Sequence, residues 1–510
     1  MRLFLLLSVS AVLGCEGRLN VQCEENSNCD LSTGGVCALA STGNRWCSYP
    51  DASCPSGYRY SDEQVGDDIA GVCVQTMDAG PSPMADWATR YGGVGDDLGV
   101  SIAIAPNGDL VAAGSFENTI ALGGAPFTSA GQEDVWVARY HADGSFVWSS
   151  HFGSIDSDVP TDIAVDANGD VYVVGTFSGP IDFGGGRRTT TGSFLVKLAG
   201  GTGSHQWDRV APGDRTYTAH VAAVNSGMIA IGGSFVGTVD FGTGNLTTDN
   251  WDDFIAGYQV ANGDAVWAKV LATTGFDGEF AGLVAADGDV IVSGSYFGTA
   301  MLGGASLPSN GNDDVFLARY HGATGAHVWS KQLGGANADH ARAITTDGIR
   351  VYVAGQFLGS TSLGGQDMVS NGSYDAFVAA YNVIDGTYVW SQHFGGKSND
   401  EIRSLTAGPS RITVAVDFLD QITIGTQTLI AHSDPANGSS DIAITRLVRE
   451  SGNPALSSQF GDVGVEDLAV MYTRDDHLVG VGSFSNSLDI FGFHLPSDGQ
   501  KDIALFRVDF

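Results

Sequence analysis

From Asp86 onward the chain repeats itself about every sixty residues, and a period of that length restricts the fold more than any local motif does. A Trp that follows a Gly-containing turn recurs at Trp148, Trp207, Trp267, Trp329 and Trp390; Trp87 opens the series and Leu456 closes it. An aromatic ends an apolar run at Phe116, Phe177, Phe235, Tyr296, Phe357, Phe418 and Phe484. Gly stands two residues before each of these except Phe418, where Val416 takes its place. Asp opens a further apolar run at Asp134, Asp252, Asp314, Asp375, Asp441 and Asp502, with Gly192 in the second unit. The three markers keep one phase, so the chain holds seven units.

Each unit has the period of strands. In the second, Asp162-Ile163-Ala164-Val165-Asp166 meets the turn Ala167-Asn168-Gly169 and continues as Asp170-Val171-Tyr172-Val173-Val174-Gly175-Thr176-Phe177. Short β-branched and aromatic runs parted by Asn-Gly or Asp-Gly are hairpin signals. A longer connection through Ile181-Asp182-Phe183-Gly184-Gly185 leads to Phe194-Leu195-Val196-Lys197-Leu198, and Thr202-Gly203 turns into His205-Gln206-Trp207. Four strands repeated seven times predict an all-β fold, a seven-bladed β-propeller of four-stranded blades spanning residues 86–510. Asp86 to Gly93 reads as a fourth strand placed before the first blade, while the chain reaches Phe510 just after a third strand. Pairing Trp87–Gly93 with Asp502–Phe510 would close the ring and remove two unpaired edges. The 71 glycines then need no low-complexity explanation, since they recur at strand ends and turns.

The first 85 residues are of a different kind. Met1-Arg2, the apolar run Leu3 to Leu7 and Val12-Leu13-Gly14-Cys15 read as a secretory signal too short to span a bilayer. Val12-Leu13-Gly14-Cys15 resembles a bacterial lipobox, which implies cleavage after residue 14 and lipid on Cys15. An ordinary signal peptide is the alternative. Residue 16 is Glu rather than the Asp of inner-membrane retention, which points to the outer membrane. Residues 15–22 would be a lipidated tether. Cys23, Cys29, Cys37, Cys47, Cys54 and Cys73 form an even set packed into 23–73, the signature of a small disulfide-rich module in an exported chain. Connectivity stays open; the run from Cys54 to Cys73 favours that pair. No C-x-x-C spacing supports a zinc site. Residues 74–85 read as a linker.

Asp314-Val315-Phe316-Leu317-Ala318-Arg319-Tyr320-His321, followed by Trp329-Ser330-Lys331-Gln332-Leu333-Gly334-Gly335, resembles the SBBP repeat, the seven-bladed propeller repeat of bacterial surface proteins. The resemblance implies fold and a surface location and carries no catalytic residues. Thr324-Gly325 before Trp329, and Thr202-Gly203 before Trp207, also match the end of the pyrroloquinoline-quinone propeller motif. That motif's Asp is replaced by His321 and Ala199, so the shared turn and Trp are better explained by blade packing.

A net charge of −34, from 24 basic and 58 acidic residues, argues against nucleic-acid partners. No H-E-x-x-H, Walker A or G-x-S-x-G motif occurs. His141 matches His321 in phase and His151 matches His393, which marks structural slots. The connections into each unit carry acids, among them Asp96, Asp97, Asp156, Asp158, Asp339, Asp400 and Glu401, which should gather on one face of the disc. Asp96, Asp97, Asp156, Asp158, Asp400 and Glu401 are candidate Ca2+ ligands; the competing reading is turn chemistry and exposed solubilising charge. The expectation is a monomeric outer-membrane lipoprotein, held to the membrane through the Cys15 lipid. Its propeller, without enzymatic activity or cofactor, would bind extracellular protein or glycan. The alternatives are an envelope hydrolase or lyase acting on glycan or peptide at the propeller funnel, and a periplasm-facing assembly scaffold.

Overall fold

The computed structural model describes residues 86–508 apart from 214–215, 226, 276–278, 432–439, 461–464 and 473–476, together with three short strands nearer the start. The chain divides into two compact units, Met1–Ala85 and Asp86–Phe510. In the first, Val36–Leu39, Arg45–Pro50 and Tyr58–Tyr60 form an antiparallel sheet with Cys37 opposite Cys47. The Cys15 lipid site, Cys23, Cys29, Cys54, Cys73 and the Cys54–Cys73 pairing lie outside the described residues.

The second unit is a seven-bladed β-propeller with no helix among the described residues. Blade 1 is Asp97–Ile104, Leu110–Phe116, Asp134–Tyr140 and Phe146–Phe152, paired antiparallel in that order. Blades 2 to 6 repeat it, their first strands being Asp158–Val165, Thr216–Asn225, Glu279–Ala286, Asp339–Thr346 and Asp400–Ala407. In blade 7 the strands Val465–Tyr472, Leu478–Phe484 and Asp502–Val508 are followed across the sheet by Trp87–Tyr91, with Trp87 opposite Arg507 and Tyr91 opposite Ile503. First strands touch first strands all the way round, and that of blade 7 touches that of blade 1. They form the wall of the central channel.

Second and third strands, such as Leu110–Phe116 and Asp134–Tyr140, are buried along their whole length because neighbouring blades cover both faces. Their side chains fill seven cores, one per junction. Val135, Val137 and Trp148 of blade 1 meet Val173, Phe183 and Phe194 of blade 2. Ile102 and Leu110 of blade 1 meet Val481 and Leu505 of blade 7 in the same way.

The repeated Trp locks each blade to the next. The indole N–H of Trp148 donates to the Gly200 carbonyl of blade 2 at 2.8 Å. Trp207 does so to Val260, Trp267 to Gly322, Trp329 to Val383, Trp390 to Arg449 and Trp87 to Ala142. Each acceptor lies in the turn between third and fourth strands of the following blade. Leu456, which stands in the Trp position of blade 6, is 48% exposed. Buried cations reinforce the lock: Arg139, Lys197 and Arg319 reach the same turns through Gly200, Val260 and Val383. Arg139 is also paired with Asp109 at 2.9 Å.

The connection between second and third strands, expected only as a longer link, forms a small hairpin in six blades, for example Ser360–Thr361 with Met368–Val369. In blade 3 the two strands run on instead, as Met228–Asp240 and Asn245–Gln259. Five of these hairpins stand as separate two-stranded sheets, and that of blade 4 extends the edge of blade 3. Thr299–Met301 of blade 4 pairs with Ala272 and Thr273 at the end of blade 3.

Candidate binding site at the channel mouth

Each first strand carries a one-residue bulge, at the same register in blades 1 to 6, where the extra residue is Val100, Thr161, Ala219, Ala281, Arg342 or Arg403, and two positions earlier in blade 7, at Glu466. A bulge bends the strand and re-aims side chains. Beyond it the channel is mainly apolar and small: Ile102, Ala103, Ile163, Ala164, Leu283 and Ile344 help line a cavity of about 470 Å³. At the end where the first strands begin it opens into a second cavity of about 580 Å³.

This mouth breaks the seven-fold repetition. Two residues before the bulge residue stand Leu98, Val159 and Tyr217 in blades 1 to 3, but Glu279, His340 and Glu401 in blades 4 to 6. The bulge residue itself is Arg in blades 5 and 6. Arg342 is ion-paired to Glu279 and, at 3.1 Å, to Glu401. Two nitrogens of Arg403 reach Asp417 Oδ2 at 2.6 and 3.0 Å. His340 Nδ1 lies 3.9 Å from Glu279 Oε2. A half-exposed polar arc built from three blades therefore faces an apolar arc, and the ion pairs of Arg342 cross blade boundaries.

Deeper in the channel the Ser101 hydroxyl donates to Asp162 Oδ1 at 2.8 Å, while His220 Nδ1 lies 3.4 Å from Asp162 Oδ2. A nucleophilic triad needs the imidazole between hydroxyl and carboxylate. Here the carboxylate is in the middle, so the hydroxyl is oriented and not deprotonated. Asp162 also accepts the Val221 amide, which ties blade 2 to blade 3.

The six acids singled out as Ca2+ candidates do not form one cluster. Glu401 belongs to the mouth, and Asp96 and Asp156 are partly exposed. Asp97, Asp158 and Asp400 are fully buried at the starts of their strands, as is Asp339. They are not exposed solubilising charges, although each makes the local backbone bond that turn chemistry suggests. Each accepts the amide of the residue four before it, Gly93, Ser154, Gly396 and Gly335 respectively, which holds the incoming loop.

Sequence reasoning missed their partners, the Asp residues that open the third strands. Asp502 neighbours Asp97, Asp134 neighbours Asp158, Asp314 neighbours Asp339, and Asp375 neighbours Asp400. The repeat marker at these positions was the available signal. Burial first, and the facing carboxylate in addition, push Asp97 and Asp339 up to about 7, Asp158 up to about 6 and Asp400 up to about 8.

The matched histidines are structural, as their phase implies. His141 Nδ1 lies 2.9 Å from Asp109 and His321 Nδ1 3.2 Å from Asp289. His151 stacks on Phe127 and His393 meets Phe357 edge-on. Arg90, Gln332 and Gln459 hold the slot of His151 and His393 in other blades, where they donate to Asp502, Asp314 and Asp441.

No family model matches the chain. The regulatory protein FlaEY of Caulobacter vibrioides is 25% identical over 359 residues, covering 65% of this chain and 37% of that protein. The chain thus matches little more than a third of that relative's length. Among solved structures, BamB from Moraxella catarrhalis covers 83% of this chain and 96% of its own, at 14% identity and a TM-score of 0.37. U3-55K gives a TM-score of 0.45 at 7% identity, covering 82% of this chain and 98% of its own. The quinohemoprotein alcohol dehydrogenase of Comamonas testosteroni gives 0.39 at 10% identity, covering 83% and 76%. Fold alone does not define an activity, so function rests on the site.

Proposed function

We propose that the protein is an SBBP-type surface lipoprotein of the cell envelope whose propeller is a non-enzymatic binding module, taking a protein or glycan ligand at the channel mouth. The observation that carries this reading is the asymmetric arc of Glu279, Arg342, Glu401, Arg403 and Asp417. Scaffold positions repeat from blade to blade, whereas these residues depart from the repeat and converge. Three carboxylates against two guanidiniums favour a ligand offering basic or hydrogen-bonding groups. The Val12-Leu13-Gly14-Cys15 sequence supports the envelope address, and closure of blade 7 by Trp87–Tyr91 suits a monomer that must persist outside the cell.

The experiment compares the full-length protein with Arg342→Ala, Arg403→Ala and a control outside the mouth, Asp264→Asn, against a glycan array and cross-linked envelope proteins. A ligand retained by wild type and the control, and lost by both mouth variants, supports the proposal. A ligand retained by all four moves the site elsewhere. Palmitate labelling of wild type and Cys15→Ala tests the anchor. Protease shaving of intact cells decides between an outward orientation and a periplasmic scaffold.

A further inference from the structure

The junction between blades 4 and 5 has the same buried, unpartnered carboxylate oxygens as Asp97, Asp400 and Asp502 and adds a buried hydroxyl beside them. Asp314 and Asp339 are both fully buried, and both crowd the same glycine: a Cβ on Gly334 would collide with Asp314 Oδ1 and come within 3.0 Å of Asp339 Oδ2. In each, one oxygen is used. Asp314 Oδ2 accepts the Asn310 amide and, at 2.7 Å, Gln332 Nε2; Asp339 Oδ2 accepts the Gly335 amide at 2.7 Å. The other oxygen of each, Oδ1, is buried without a hydrogen-bond partner. No Lys, Arg or His among the described residues forms an ion pair with either acid. At the blade 7 to blade 1 junction, by contrast, Arg90 holds Asp502 at 2.8 Å.

A third oxygen joins them. Thr361, in the small hairpin of blade 5, faces Asp339 closely enough to favour its carboxylate, while its buried hydroxyl has no partner within 3.5 Å. The matching position in the other blades is Ile120, Ile181, Val239, Ala300, Ile422 or Leu488. A hydroxyl buried at a slot that is otherwise apolar costs free energy unless something bonds it.

We propose that Asp314 Oδ1, Asp339 Oδ1 and Thr361 Oγ1 bind one hard divalent cation, Ca2+, with backbone carbonyls and water completing the shell. Two carboxylates, a hydroxyl and no nitrogen or sulfur are the ligand chemistry of Ca2+. The same charge would remove the repulsion between the two acids and fasten the Gly334-Gly335 loop between the blades. No set of three or more His, Cys, Asp or Glu converges as a metal cluster among the described residues, so the hydroxyl and main-chain oxygens are essential to the ligand number.

The test uses the full-length protein stripped with chelator and titrated with Ca2+, following bound metal by calorimetry and the thermal midpoint in parallel. Ca2+ should raise the midpoint of wild type. Thr361→Val, which restores the apolar residue of the other blades and should fold, should weaken binding at least tenfold while leaving the chelator-treated midpoint equal or higher. Asp339→Asn should lose the response. Wild type without any Ca2+-dependent shift would overturn the proposal, and a midpoint that rose only on acidification would show the two carboxyls sharing a proton instead. A response of equal size in wild type, Thr361→Val and Asp339→Asn would overturn it as well.

Discussion

Replacing Gly203 by Ala attacks the lock between blades 1 and 2 at a point where two costs can be separated. Gly203 turns blade 2 from its third to its fourth strand at φ +69, and a Cβ there would lie 2.5 Å from Trp148 Cε3 and 2.8 Å from Ser150 Oγ. The left-handed backbone alone costs Ala about 1–2 kcal/mol. Displacing the ring adds about 1–3 kcal/mol of overpacking, and losing the Trp148 to Gly200 hydrogen bond adds up to about 1.5 kcal/mol. Gly108 supplies the control. It sits in a blade 1 turn at φ +91 with nothing within 4 Å of its missing Cβ. Gly108→Ala should therefore cost about 1–2 kcal/mol and Gly203→Ala about 2–6.5 kcal/mol. Urea denaturation followed by Trp fluorescence measures both, and a double mutant with Trp148→Ala measures their coupling. Because removing the indole opens the space, the Gly203→Ala penalty should fall to the Gly108→Ala value. Equal costs at the two glycines, or strict additivity in the cycle, would refute the claim that the turn glycine exists to seat the neighbouring Trp.

Asp109→Ala should destabilise by about 3–5 kcal/mol, because Arg139 is left as an uncompensated charge at 8% exposure; Arg139→Met, read by the same denaturation assay, should cost less. Deleting residues 86–93 from the full-length protein leaves the third strand of blade 7 as an open edge, so light scattering should show association and the midpoint should drop; an unchanged, monomeric protein would defeat the closure argument. The buried acids set a pH dependence whose sign is fixed. Asp97, Asp339 and Asp400 have folded values near 7 to 8, above an ordinary carboxyl near 3.8, so the folded state holds more protons between those limits. Their contribution is most favourable below the unfolded value and is lost as pH rises toward 8. In chelator, differential scanning calorimetry should give a higher midpoint at pH 5.5 than at pH 8, and a flat profile would be a failure.

The repeat, the strand order within a unit and the turn positions were legible in the sequence because they are local. Asn168-Gly169 and Thr202-Gly203 declare turns through their own backbone preferences, and the run Val171–Phe177 declares a doubly covered strand through its composition. The slot shared by His151 and His393 was legible for a related reason, since both stand three residues after the repeated Trp. The small hairpins were missed because two-residue strands such as Ser360–Thr361 have no periodicity to detect.

By itself the sequence determined the number of blades, the order of their strands, and which residues turn the chain. Only the tertiary structure decided which acids are buried and which acids meet. Asp314 and Asp339 belong to consecutive units, and Glu279 and Arg342 are 63 residues apart. These encounters follow from the curvature that brings one blade against the next, a property of the packed cores that no local pattern records. The same packing turns a conserved phase of Asp residues into carboxylate pairs out of water, where their protons or a bound cation become part of what holds the ring together.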